Sequence, residues 1–242
     1  MSREEPCDPT VSATVYPANP APLTQLSRNE IETLCLKAAR GAGMPWGVAE
    51  EAGFAAGWLA ANGIDGATAL LTHLVAFTDG RFPVPSLEIR DRFWHSTQGA
   101  ALCPIALGSA LDDHAALESG PAHAPITTAA VSQPVLIVPF LARAAQVTGS
   151  DLALMWDGGA AVISADGALD NQTMRKLSGV ASADLTLEPR HESKLLASSA
   201  PPAIPALSAS TLRGLNALAL RTTVPASDAS RRGAGATTSD ND

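Results

Sequence analysis

The chain predicts an α+β fold: a three-helix cluster at the front, packed on a small and mainly antiparallel sheet and closed by a C-terminal helix. Three observations predict it. Apolar residues recur at helical spacing through residues 27–78, short extended runs and a hairpin turn fill much of residues 99–190, and helical spacing returns after a Pro/Ser linker. Helices first, strands next and a final helix fit α+β better than alternating α/β.

Taken in order, residues 1–24 are rich in proline and lack periodicity, which reads as an irregular leader. Ser27 followed by Glu30 is a capping box, in which hydroxyl and carboxylate satisfy two orphan amides at a helix start. Ile31, Leu34, Cys35, Ala38 and Ala39 then share one helical face, and Gly41 and Gly43 end it. Pro45 suits the first turn of a second helix, whose stripe is Val48, Ala52, Ala55, Ala56 and Leu59. Gly47, Gly53 and Gly57 cost that helix propensity and leave room for a neighbouring backbone. Asp65 caps a third helix with Ala67, Leu70, Leu71, Leu74 and Val75 inward, and His73 beside that stripe reads as structural.

From residue 79 the texture changes. "TDGRFPVPSLEIRDRFWHSTQG" reads as a long loop with short extended pieces, because its X-Pro pairs disfavour helix. "CPIALGSAL" and "PITTAAVSQ" read as strands. "PVLIVPFLARAAQVTG" reads as a helix from about Pro134 to Gln146, with Pro134 in its first turn and Pro139 standing against the assignment. "DLALMWDGGAAVISADG" is a hairpin turning at Asp157 and Gly158. "ADLTLEP" is a further short strand ended by Pro189. After the linker "ASSAPPAIPALSAS", a last helix over 208–221 starts at about Ser208 or Ser210, with Leu212, Leu215, Leu218 and Ala219 on one face. Residues 25–222 are then one domain, and 223–242 form a Gly/Ser/Asp-rich ending.

Bulk composition narrows the function classes. The 242 residues are long enough to bury a real core. Charged residues are only 17% of the chain, and much of its 46% apolar share is alanine, so the core should be aliphatic with closely approaching small residues. A net charge of −8 repels phosphate backbones and anionic lipid, which argues against nucleic-acid and membrane partners. "MSREEPCDPT" lacks the apolar segment of a secretory signal, no apolar run reaches the ~20 residues of a membrane span, and a cytoplasmic protein is expected. Cys7, Cys35 and Cys103 are odd in number and widely spaced, so neither a disulfide framework nor a zinc site is indicated.

The strongest local cluster is "LDDHAALES", where Asp112, Asp113 and His114 follow a predicted strand and His123 lies nine positions on. Carboxylates beside an imidazole suit proton transfer, and two carboxylates with two histidines equally suit a divalent metal. A solvated acidic strand end is the plain alternative. Cys103, before a proline and with no histidine near it in sequence, reads as a packing residue rather than a nucleophile. "DRFWHSTQG" sets His95 beside Phe93 and Trp94, where an aromatic-walled pocket could form or a core edge be covered. His191 reads as solvated. In the ending, Ser230, Arg231, Arg232 and Gly233 could fold into a nest that holds a small anionic ligand.

With these residues laid out, the chain resembles a bacterial family known only as a domain of unknown function. The resemblance rests on residues 26–66, on "PVLIVPFLARAA" and on the closing "VPASDASRRGAGATTSDND", and implies that the ending is a regular feature. Residues 26–66 are also faintly similar to the N-terminal helices of the non-Rossmann malate/lactate dehydrogenase family, but "GIDGATALL" lacks the histidine that carries function there. Two functional readings follow. One is a small-molecule-binding or accessory protein of bacterial metabolism, with no cofactor of its own, using the Arg-containing ending and the Trp94 and His95 segment. The other is a hydrolase or isomerase-type enzyme using Asp112, Asp113, His114 and His123.

Overall fold

Helical spacing in residues 28–78 does produce three helices, joined by short turns. The computed structural model describes residues 23–82, 87–190 and 202–223. A two-residue strand β1 (Leu23–Thr24), the last of the proline-rich leader, precedes helix α1 (Arg28–Gly41). The capping box forms: Ser27 Oγ accepts from the Glu30 amide, and the Glu30 carboxylate accepts from the Ser27 amide at 2.8 Å. Helix α2 (Trp46–Ala61) follows Pro45, which is its N-cap rather than its first helical residue. Helix α3 (Gly66–Thr78) is capped by Asp65, whose carboxylate accepts from the Thr68 amide at 3.0 Å.

Strands β2 (Leu87–Arg90) and β3 (Phe93–Ser96) pair antiparallel, so much of the segment expected to be loop is a hairpin. Helix α4 (Pro104–Asp113) corrects the strand expected at "CPIALGSAL". Pro104 occupies its first turn, and Ile105, Leu107, Gly108 and Leu111 are buried at helical intervals, a period that a run of small apolar residues disguises as a strand. Strand β4 (Ile126–Ser132) leads through a 3-10 turn (Pro134–Ile137) into α5 (Val138–Thr148). Pro139 lies in the first turn of α5, where its missing amide costs no hydrogen bond.

The expected hairpin is β5 (Asp151–Trp156) with β6 (Gly159–Ile163), turning at Asp157 and Gly158. A polar helix, α6 (Asn171–Ser178), was not foreseen. Strand β7 (Ser182–Arg190) continues through Pro189, which pairs with Leu152 instead of ending the strand. A second short strand, β8 (Leu207–Ser208), pairs with β1, and Ser208 caps the last helix, α7 (Ala209–Ala219).

The main sheet has six strands in the order β2-β3-β4-β7-β5-β6, and only the β3 and β4 pair is parallel. One row across its outer face runs Phe93, Thr127, Thr186, Met155 and Ala160. The adjacent inward row holds Trp94, Thr128 and Leu185, all buried. The front helices reach this sheet differently from the direct stacking expected. Beyond its own cluster, α2 packs mainly on α4, α5 and the 3-10 turn, which lie between it and the strands. Helix α7 closes the helical side, against α1 and α3.

Close approach explains the glycines at two helix contacts, Gly53 and Gly41. A Cβ on Gly53 of α2 would sit 2.7 Å from the Glu32 carbonyl oxygen of α1, and one on Gly41 would sit 1.8 Å from that of Leu218 in α7. Gly47, by contrast, has open space around it. Small residues let these helices pack backbone to backbone, which suits an alanine-rich core.

Candidate functional site

The anticipated acid/base cluster does not assemble. Asp112 and Asp113 end α4 and His114 is its C-cap, so none of them follows a strand. Asp112 turns to Arg143, 2.9 Å away, and Arg143 also holds Glu51 at 2.9 Å. The Arg143 guanidinium lies 4.3 Å from the centre of the Phe54 ring, so the ion-paired group is packed between α2, α4 and α5. Burial raises the Asp112 carboxyl above its usual range, and the charge of Arg143 opposes that shift. Asp113 and His123 are exposed. His114 donates from Nδ1 to the Ala110 carbonyl at 2.8 Å, and its ring meets the Trp94 ring edge to face. Among the described residues no group of three or more His, Cys, Asp or Glu side chains is placed to hold a metal.

The expected aromatic pocket is also redrawn. Trp94 and His95 are neighbours on β3, so they leave the sheet on opposite faces. Trp94 is fully buried in the core, whereas His95 stacks on Phe93 and faces Glu88 with Nε2 to Oε2 at 3.6 Å. They cannot wall one pocket together. Ser230, Arg231, Arg232 and Gly233, together with Cys7 and His191, lie outside the described residues.

What the fold does bring together is a set that sequence spacing separates. His73 on α3 is 0% exposed, yet both ring nitrogens have partners: Nδ1 is 3.2 Å from Ser132 Oγ and Nε2 is 3.2 Å from Cys103 Sγ. The Phe82 ring, 4.6 Å away, forms one wall around the imidazole. Cys103 is the N-cap of α4 and is partly exposed, while Ser132 is the last residue of β4.

Backbone pairing holds the two in register. The Leu102 amide donates to the Ala130 carbonyl at 2.7 Å, and the Ser132 amide donates to the Leu102 carbonyl at 3.1 Å, as an isolated parallel bridge between Leu102 and Val131. A register shift in the pairing of β4 with β7 between Thr128 and Val131 precedes this point, and such irregularities re-aim side chains.

Burial sets the charge state of the pair. It drives the His73 imidazole down to about 3, so the ring is neutral at physiological pH. It also pushes the Cys103 thiol up, with the Ala106 and Ile105 amides at the start of α4 acting in the opposite direction. The resting pair is therefore thiol and imidazole rather than thiolate and imidazolium. With the ring proton on Nδ1, donated to Ser132, the Nε2 lone pair faces the Cys103 S–H, the arrangement in which His73 serves as a base. Cys35 is inert by comparison, fully buried with its thiol pushed well above the usual range.

One signal for this site was present in the sequence: an imidazole beside a stripe of Ala67, Leu70 and Leu74 must find polar partners once buried. Nothing in the spacing identified them as Cys103 and Ser132.

Residues 26–107 match a family model described as a protein of unknown function (DUF3726). That stretch runs from the start of α1 into α4 and contains both His73 and Cys103, while Ser132 lies beyond it. It is narrower than the resemblance read from the sequence, which extended to the ending. No curated protein matches the chain, so the dehydrogenase-like reading of the front helices gains no support there. No described helix is long and apolar enough to cross a membrane.

Proposed function

We propose that the protein is a thiol-dependent enzyme of the hydrolase type, acting on an activated acyl group, with Cys103 as nucleophile and His73 as general base. This keeps the enzymatic reading of the sequence but moves its site. The observation that carries it is the 3.2 Å contact between His73 Nε2 and Cys103 Sγ, with Ser132 on the opposite ring nitrogen. A nucleophile, a base and a third group that orients the base are the elements of covalent acyl transfer.

The steps balance with the residues present. Cys103 Sγ attacks the acyl carbonyl as its proton passes to His73 Nε2, and the carbonyl oxygen takes up the negative charge. Collapse expels the leaving group, which receives the proton from Nε2. Water then attacks the thioester with His73 again as base, releasing the acid and restoring the thiol. The Ser132 hydroxyl orients the imidazole and accepts the Nδ1 hydrogen bond throughout. The α4 amides near Cys103 favour negative charge on sulfur when the proton leaves.

A free thiol nucleophile suits a reducing compartment, in keeping with a cytoplasmic bacterial protein. The net charge of −8 disfavours nucleic acid and anionic membrane as partners. A small anionic ligand at Arg231 and Arg232 is not required by this chemistry.

The test is nitrophenyl acetate hydrolysis in a Cys7→Ser background. A burst of nitrophenolate stoichiometric with protein, abolished by Cys103→Ser, is expected. A burst of equal size in Cys103→Ser would refute the assignment.

A further inference from the structure

We propose that Phe82 is a positioning residue of this site: its ring packs on the His73 imidazole, keeps water from it and holds Nε2 toward the Cys103 thiol. The inference rests on the thiol reading above and adds to it a residue that the sequence did not single out.

The turn that ends α3 delivers the ring. Gly80 adopts φ 76°, its amide donates to the Phe77 carbonyl at 3.0 Å, and the Arg81 amide donates to the Ala76 carbonyl at 3.2 Å. Two such bonds around a left-handed glycine are a Schellman stop, which turns the chain back at the helix end. Phe82, two residues further on, meets the helix again at His73, with ring centres 4.6 Å apart and planes at 56°. Phe77, one helical turn after His73, flanks the imidazole more distantly at 6.3 Å.

Burial of Phe82 serves this contact. Its side chain is 8% exposed yet lies outside the contiguous apolar core, and among the described residues His73 is the one ring it meets. His73 is itself 0% exposed, and burial lowers its pKa to about 3, with no charged side chain of α1, α2, α7 or the 3-10 turn contributing. Asp79 and Arg81, on the turn itself, pair with each other at the surface at 3.8 Å, and the titratable group that touches the imidazole is the Cys103 thiol. An apolar ring that excludes water disfavours the imidazolium and leaves the Nε2 lone pair free to take the thiol proton.

Phe82→Leu, Phe82→Val and Phe82→Ala remove the shield in steps. In the Cys7→Ser background, His73 is titrated by proton NMR of its Cε1–H, assigned by its loss in His73→Gln. Acylation of Cys103 by nitrophenyl acetate is timed at pH 7 and pH 5 in the same proteins. Merely weakened packing would slow acylation equally at both pH values and leave the imidazole titration where it was.

Wild-type His73 should show no titration above pH 5. Its pKa should rise in the order Leu, Val, Ala, reaching about 5.5 in Phe82→Ala. The acylation rate of Phe82→Ala relative to wild type should then fall about fourfold from pH 7 to pH 5, because a protonated imidazole is no base. If Phe82→Ala does not fold, the same order of Phe82→Leu and Phe82→Val decides. If Cys103 is acylated but His73 still does not titrate above pH 5 in the variants, whether the rate holds or falls equally at both pH values, the proposal is overturned while the thiol reading stands. If wild-type Cys103 is never acylated, both readings fail.

Discussion

His73 Nε2 lies 3.2 Å from Cys103 Sγ, although thirty residues separate them and one sits in a helix interior while the other caps a different helix. The contact depends on the parallel bridge between Leu102 and Val131, which brings Cys103 alongside Ser132, the other partner of the imidazole. Removing either hydrogen-bonding partner would leave a buried ring nitrogen unpaired, at a cost of about 1–3 kcal/mol.

Because burial raises the Cys103 thiol, little thiolate exists at neutral pH and simple alkylation should be slow. The rate of iodoacetamide labelling at Cys103 is expected to climb with pH through and above the ordinary thiol range, with no plateau on the acid side. A plateau persisting below pH 6, found by quenched labelling and peptide mass spectrometry, would mean a preformed ion pair and contradict the neutral assignment.

The depressed His73 pKa predicts acid sensitivity of the fold. The unfolded imidazole takes up a proton near 6.5 and the folded one only near 3, so the unfolded state binds more protons between those values. Stability is therefore fully present above 6.5 and is lost as pH falls toward 3. Across pH 6.5 to 5.5, above the ordinary carboxylate range, the loss amounts to roughly 1 kcal/mol. Urea unfolding over that interval should show the slope in wild type and a flatter line in His73→Gln.

Helix packing predicts opposite signs for two glycines of the same helix. Gly53→Ala pushes a methyl to 2.7 Å from the Glu32 carbonyl oxygen and 3.0 Å from Leu36 Cβ, and should destabilise by about 1–3 kcal/mol. Gly47→Ala meets open space on an exposed surface and should stabilise by roughly 0.5–1 kcal/mol through helix propensity. Thermal unfolding of the two variants, compared with wild type, checks both.

The ion-paired Arg143 predicts a division between stability and chemistry. Arg143→Met strands Glu51 and Asp112, which are only partly solvated, and should cost roughly 1–2 kcal/mol in urea unfolding. Asp113→Asn and His123→Ala, both at exposed positions, should leave the ester burst and the unfolding midpoint unchanged. Loss of the burst in either would return the chemistry to the cluster at the end of α4.

Local signals carried much of the fold. The capping box at Ser27, the Asp65 cap and the turn at Asp157 and Gly158 are each set by a few adjacent residues, and all three formed as expected; of the two starts read for the last helix, Ser208 is its N-cap. The helix at Pro104–Asp113 was misread because a short run of small apolar residues fits a buried strand as well as one helical face. Helix α6 is short and mostly polar, and only Met174 and Leu177, three residues apart, mark its buried face, too few positions to reveal the period. The candidate site was the least legible part. His73, Cys103 and Ser132 belong to three elements joined by a tertiary bridge, and no spacing rule within one element encodes it.

The most direct measurement is peptide mapping of the folded protein quenched in acid after brief exposure to nitrophenyl acetate. The acetyl group should be found as a thioester on Cys103 in wild type, and should be lost there when His73 is replaced by Gln. Acetylation confined to lysines or to Cys7, with Cys103 unmodified, would contradict the assignment of Cys103 as the nucleophile.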